Sequence, residues 1–136
     1  MPSLTWNTTE IQTDNGDRVK AKTPIIISAS RSTDIPAFFS RWFMNRLRRG
    51  YVRWVNPFNR ASEYVSFAET RVIVFWSKNP APLLQYLPEL DEKGINYYFQ
   101  FTVNDYECER LEPHVPPLSE RIETFRALSE KVGKKR

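Results

Sequence analysis

Apolar positions along this chain fall into three short, continuous runs, each followed by a segment of helical spacing. The first run, Ile25 to Ser30, is β-branched and does not alternate with polar residues, the pattern of a strand buried on both faces. The second spans Val72 to Trp76 and ends in Ser77-Lys78-Asn79; the third spans Tyr97 to Val103. A helix is predicted from Pro36 to Arg49, with Asp34 placed as its N-cap, Pro36 in its first turn and Gly50 as its stop. Its apolar stripe is Phe39, Trp42, Phe43 and Leu47. A second helical stretch begins at Pro80 and Pro82, carries Leu83, Leu84, Leu87 and Leu90, breaks or restarts at Pro88 and ends at Gly94. A third runs from Leu118 to Val132 with Leu118, Ile122, Phe125, Leu128 and Val132 as its stripe.

Two hairpins complete the pattern. Asn15-Gly16, between Asp14 and Asp17, is a two-residue turn signal, with Trp6, Ile11, Val19 and Ala21 on the arms. Tyr51–Val55 and Glu63–Phe67 read as a second hairpin around Asn56-Pro57. The strand–helix order, repeated three times, predicts an α/β fold of parallel (β/α) units, as in a partial TIM-like barrel. We expect one domain over residues 1–136, with 1–23 an N-terminal hairpin extension and 24–133 the three β/α units.

Strand parity then locates a candidate site. Side chains two apart share a face. Each strand has one apolar face, and its other face turns polar toward the carboxyl end: Ile26, Ser28, Ser30; Val72, Val74, Trp76, Lys78; Tyr98, Gln100, Thr102. Open parallel sheets and barrels bind ligands at strand carboxyl ends. The candidate ligand-binding residues are therefore Ser28, Ser30, Arg31, Asp34, Trp76, Lys78, Asn79, Gln100 and Thr102. Structural roles compete for several of them. Asp34 serves as a helix cap, Arg31 as its partner, Ser28 and Ser30 as backbone hydrogen-bonders, and Lys78 as part of a solvated turn. Gln100 and Thr102, inside an aromatic strand, are harder to explain as packing, because burying an unpaired polar group costs about 1–3 kcal/mol.

Composition narrows the chemistry. The chain has 136 residues, 40% of them hydrophobic, and a net charge of +4, which permits an anionic partner without requiring one. No window is long and apolar enough to span a membrane, and no signal peptide precedes residue 25, so a cytoplasmic location is expected. Cys108 and His114 are the single cysteine and histidine. Thiolate metal sites and Ser-His or Cys-His nucleophiles are thereby excluded unless those two meet, and no metal ligand is assigned.

The segments "IIISASRSTDIPAFF", "NPFN", "VFWSKNPAPLL", "YYFQFT" and "EPHVPPLSERIETFRALSEKVG" resemble an uncharacterised bacterial and archaeal family, domain of unknown function 1848, over residues 24–133. The resemblance implies relatives about twice as long that end in a cysteine cluster similar to the iron–sulfur site of radical S-adenosylmethionine enzymes. This chain matches only the N-terminal part and stops after the third helix. Cys108 does not correspond to a cluster ligand, so an iron–sulfur cluster and S-adenosylmethionine are implied for full-length relatives and no cofactor for this chain.

Three functions compete. The first is a small polar or anionic ligand at the strand ends, with Arg31 and Lys78 holding the anion, Ser30, Asn79, Gln100 and Thr102 orienting it, and Asp34 the nearby carboxylate; catalysis by this chain alone is not expected. The second is nucleic-acid binding through Arg41, Arg46, Arg48, Arg49, Arg53 and Arg60 with Trp42, Tyr51, Trp54 and Phe58. Against it stands an ordinary amphipathic helix with rings inward and arginines outward. The third is a truncated gene product with only an interaction role. Three β/α units also leave a sheet face and an edge open, so either self-association, association with a missing C-terminal half, or marginal stability is expected.

Overall fold

The computed structural model describes residues 6–30, 33–105 and 111–133. In chain order the elements are β1 (Thr8–Gln12), β2 (Arg18–Lys22), β3 (Ile26–Ser28), α1 (Ile35–Phe38), α2 (Ser40–Arg49) and β4 (Tyr51–Val55). Then follow β5 (Ser62–Ser66), β6 (Val72–Ser77), α3 (Ala81–Leu84), α4 (Leu87–Glu92), β7 (Asn96–Phe101) and α5 (Leu118–Val132). They form two sheets. One is parallel, in the order β3-β6-β7; the other has the order β1-β2-β5-β4. The fold is mixed α/β with parallel strands, as the strand–helix order predicts, and no closed barrel forms.

The two predicted hairpins are present, but they are one structure rather than two additions. β2 joins β5 in parallel through Lys22 and Val65, so both hairpins merge into the four-stranded sheet. The first turn is also wider than the two residues expected. The last β1–β2 pair is Gln12 with Arg18, and the loop closes through Thr13 N to Asp17 O at 2.8 Å and Gly16 N to Thr13 O at 2.9 Å. Of its residues only Gly16 has positive φ, +88°; a two-residue turn would have needed Asn15 there too.

The predicted helix from Pro36 to Arg49 is interrupted. Phe39 leaves the helical region (φ −132°, ψ 21°) between α1 and α2. The Ser40 hydroxyl donates to Pro36 O at 2.7 Å, the backward side-chain bond that bends helices. This shifts the buried stripe of α2 to Phe43, Met44 and Leu47 and leaves Phe39 and Trp42, two of the expected core residues, exposed. At Gly50 the chain turns in the left-handed region (φ +89°), and its N–H bonds Arg46 O and Leu47 O, ending the helix as the sequence predicts. Pro88 restarts rather than breaks the second helical stretch, sitting in the first turn of α4.

Helices cover one face of the parallel sheet only. On that face Ile73 and Phe75 are fully buried and Tyr97 nearly so. Phe75 packs edge-on against Phe43 at 5.8 Å and stacks on Phe99 at 5.2 Å, while Leu83, Leu87 and Leu90 close the core from α3 and α4. The expectation that the first strand is buried on both faces fails: Ile26 is 63% exposed, on the wall of a cleft whose other lining includes residues of the four-stranded sheet. α5 likewise departs from its predicted stripe. Leu128 is buried and Val132 packs on the core, but Ile122 and Phe125 are exposed, and Arg121 is buried in their place with its Nε donating to Pro116 O at 2.9 Å.

Candidate functional site

The uncovered face of the parallel sheet carries the site candidates in cross-strand rows. Ser28, Val74 and Tyr98 form one row by register, and Trp76 pairs with Gln100 in the next. Side chains at the carboxyl ends then tie the strands together. The Ser30 hydroxyl accepts from Trp76 N at 3.0 Å, and the Trp76 indole N–H donates to Thr102 Oγ1 at 3.2 Å. Asp34 bridges the next layer, accepting from Ala37 N at 3.0 Å and from Lys78 N at 3.3 Å. Asn79 N donates to Ser77 Oγ at 2.9 Å, fixing the turn after β6.

Register puts Ser28, Trp76 and Gln100 on one face, with Ser30, Thr102 and Lys78 at its carboxyl end, and Asp34, outside the strands, reaches the same end through the Lys78 N–H. Asn79 follows at the turn, where its backbone is what the fold uses. Arg31 lies outside the described residues. The competing structural roles are real for part of the set: Asp34 does cap α1, and Ser30 does satisfy a backbone N–H.

Sequence reasoning missed Glu112. Its carboxylate forms an ion pair with the Lys78 ammonium, and both side chains are partly buried. Nothing in local spacing signals this pair, since Glu112 comes from the loop between β7 and α5, 34 residues away. Asn104 Oδ1 and Arg121 Nη1 are buried without hydrogen-bond partners. His114 is exposed and Cys108 lies outside the described residues; no metal-holding group of His, Cys, Asp and Glu occurs among the described residues.

The arginine-rich stretch is dispersed rather than gathered into a phosphate-binding strip. Arg46 pairs with Asp14 at 3.1 Å and lies over the Tyr51 ring at 4.5 Å. Arg48 forks onto Glu89 with both contacts at 2.7 Å, and Arg53 donates to Ser62. The hydrogen bond from Arg46 holds the Asp14 carboxyl below its usual value, and that from Arg48 does the same for Glu89. The simple alternative, rings inward and arginines outward, is also incomplete. Tyr51 is buried, but Trp42, Trp54 and Phe58 are exposed.

With the α/β fold and its polar strand ends described, the chain can be compared with known families. The profile described as a domain of unknown function, DUF1848, matches residues 26–136, and the chain belongs to that family. No curated protein and no solved structure matches the chain.

Proposed function

We propose that this chain is a binding domain for a small polar or anionic molecule, held at the carboxyl ends of β3, β6 and β7. The observation that carries the reading is the linkage of three strand ends by side chains, Ser30 to Trp76 to Thr102, beside a lysine whose charge rests on an exchangeable carboxylate. A ligand carboxylate or phosphate replaces Glu112 at Lys78, while Ser28, Gln100 and Asn79 supply neutral polar contacts along the same rim. Arg31, between Ser30 and Asp34 in sequence, is the second cation available to such a ligand.

The domain is not expected to catalyse alone. The relation to radical S-adenosylmethionine enzymes is supported by resemblance only, and this chain does not fit their cluster: iron–sulfur sites need several thiolates, and Cys108 is the single cysteine. No step is assigned to such a group. The face bearing Trp76 and Tyr98 is in this reading also an association surface, for a second copy or for a partner domain.

Binding is tested by thermal-shift titration with inorganic phosphate and with citrate. Glu112→Gln frees the ammonium and should strengthen the shift, whereas Lys78→Ala should abolish it. An undiminished shift in Lys78→Ala would place the anion elsewhere and end this reading.

A further inference from the structure

A cavity of about 580 Å³ runs along the outer edge of β3, between that strand and the four-stranded sheet. β3 ends its sheet, and four consecutive residues, Ile26 to Ala29, line the cavity whatever their parity. A cavity over one face of a strand meets alternate residues, so this one follows the edge. Its opposite wall is a face of the four-stranded sheet, where register places Val65 beside Lys22 and Val52, and Trp54 beside Glu63. Trp42 of α2 and Trp6 join the lining, so three of the four tryptophans of the chain gather here. Trp42 stays 47% exposed and Trp54 39%, although each belongs to a well-formed element. The cavity adjoins the rim through Ser28, but Trp76 is not among its lining residues.

The backbone at this edge lacks a strand partner among the described residues. Val72 N donates to Ile25 O at 3.1 Å, and Ala29 N donates to Val74 O at 2.9 Å, so Ile25 and Ala29 face β6. The parallel register carries the alternation through Ile27. The N–H and C=O groups of Ile26 and Ser28 therefore point the other way, toward the cavity.

Three properties set the occupant. The volume is that of a small-molecule site, roughly 300–1,000 Å³. Indole faces reward a flat, polarisable ring, which they engage by offset or edge-on stacking. The site also demands no net charge: Lys22 and Glu63 pair with each other at 3.0 Å, and the Arg53 side chain, one residue out of step with Trp54, lies on the other face of its sheet. An added peptide strand fits the edge less well, since only Ile26 and Ser28 face outward and strands usually need about five residues. One extended residue does present an N–H beside a C=O, and the N–H and C=O edge of a ring lactam is its complement.

We infer that this cavity binds a small, uncharged, planar heteroaromatic molecule of the ring-lactam class. Its ring lies against Trp42 and Trp54, and its N–H and C=O edge meets the outward backbone groups of β3. The occupant differs from the anion of the rim in carrying no charge and in needing an aromatic ring.

The probe is 2-quinolinone, followed through the four indole N–H cross-peaks in a nitrogen–proton correlation spectrum of the whole chain. Saturable shifts of the Trp42 and Trp54 peaks are expected, with the Trp76 peak unmoved. N-Methyl-2-quinolinone keeps the ring but loses the donor, and 2-piperidone keeps the lactam edge but loses the aromatic ring; each should bind at least tenfold more weakly. Trp42→Ala should weaken 2-quinolinone at least tenfold, whereas Trp76→Ala and Lys78→Ala should leave its affinity unchanged. Non-saturable shifts, equal affinity for the N-methyl compound, or binding lost in Trp76→Ala and retained in Trp42→Ala would overturn the inference. So would tighter binding of a capped, extended Val-Thr-Val-Thr peptide at the same peaks, which would make the edge a strand-addition site. If Trp42→Ala does not fold, Trp54→Ala and the three-compound series decide the matter. No arm of the test requires Lys78, so a failed phosphate titration leaves it intact.

Discussion

The Asp34 carboxylate accepts from Ala37 N with one oxygen and from Lys78 N with the other, at 3.0 and 3.3 Å. One side chain thus starts α1 and pins the end of β6, two elements 44 residues apart. An aspartate at an N-cap contributes about 1 kcal/mol, and the bond to Lys78 N adds a second partly buried contact. Asp34→Ala should therefore cost about 1–3 kcal/mol in denaturant unfolding, and Asp34→Asn clearly less, since its amide oxygen still accepts from Ala37 N. Hydrogen exchange at the Lys78 amide should accelerate in both variants. Unchanged stability in Asp34→Ala would mean that the strand end is held by something else.

The pairing of Glu89 with Arg48 makes stability depend on acid. Because the bidentate hydrogen bond lowers the carboxyl pKa in the folded chain, the pair stabilises fully above the unfolded value of about 4.3. That contribution is lost as pH falls through the lower folded value. Glu89→Gln removes it. The gap between wild type and variant in urea midpoint should be modest at neutral pH, as exposed pairs are weak, and should close as the pH is lowered toward about 3. A gap that persists in acid would assign the cost to packing instead.

Much of this architecture was readable in the sequence, and the misses share a cause. The strand–helix order, the caps at Asp34 and Gly50, and the polar strand ends all follow from local rules about parity, turn residues and backbone freedom. Ile26, Trp42, Ile122 and Phe125 were misread because apolar character reports what a side chain prefers, not whether a neighbouring layer exists to cover it. Glu112 was invisible for a related reason: a loop carboxylate meets Lys78 only through the tertiary path of the chain. Merging of the two hairpins rests on a single parallel pairing, Lys22 with Val65, and no short-range pattern encodes such a contact.

Opposite faces of β6 provide a direct measure of that covering layer. Phe75 is fully buried among Phe43, Phe99 and the α3–α4 leucines, so Phe75→Ala should cost about 3–5 kcal/mol. Its neighbour Val74 points to the bare face, and Val74→Ala should cost no more than about 1 kcal/mol. Equal costs at the two positions, from urea unfolding at low protein concentration, would show the sheet to be covered on both sides.

That bare face also predicts the solution behaviour. Trp76, at 58% exposure, sits with Ile26, Val74 and Tyr98 on the uncovered side of the parallel sheet, and β3 and β7 are its unpaired edges. Contiguous apolar surface of this kind is unstable in a monomer. Light scattering coupled to size exclusion should therefore give a mass that rises with concentration. The double variant Trp76→Glu, Tyr98→Glu should return it to the monomer value, because two carboxylates cannot be desolvated at such an interface. A monomeric wild type that melts sharply at high temperature would contradict the association and require the face to be stable in water as it stands.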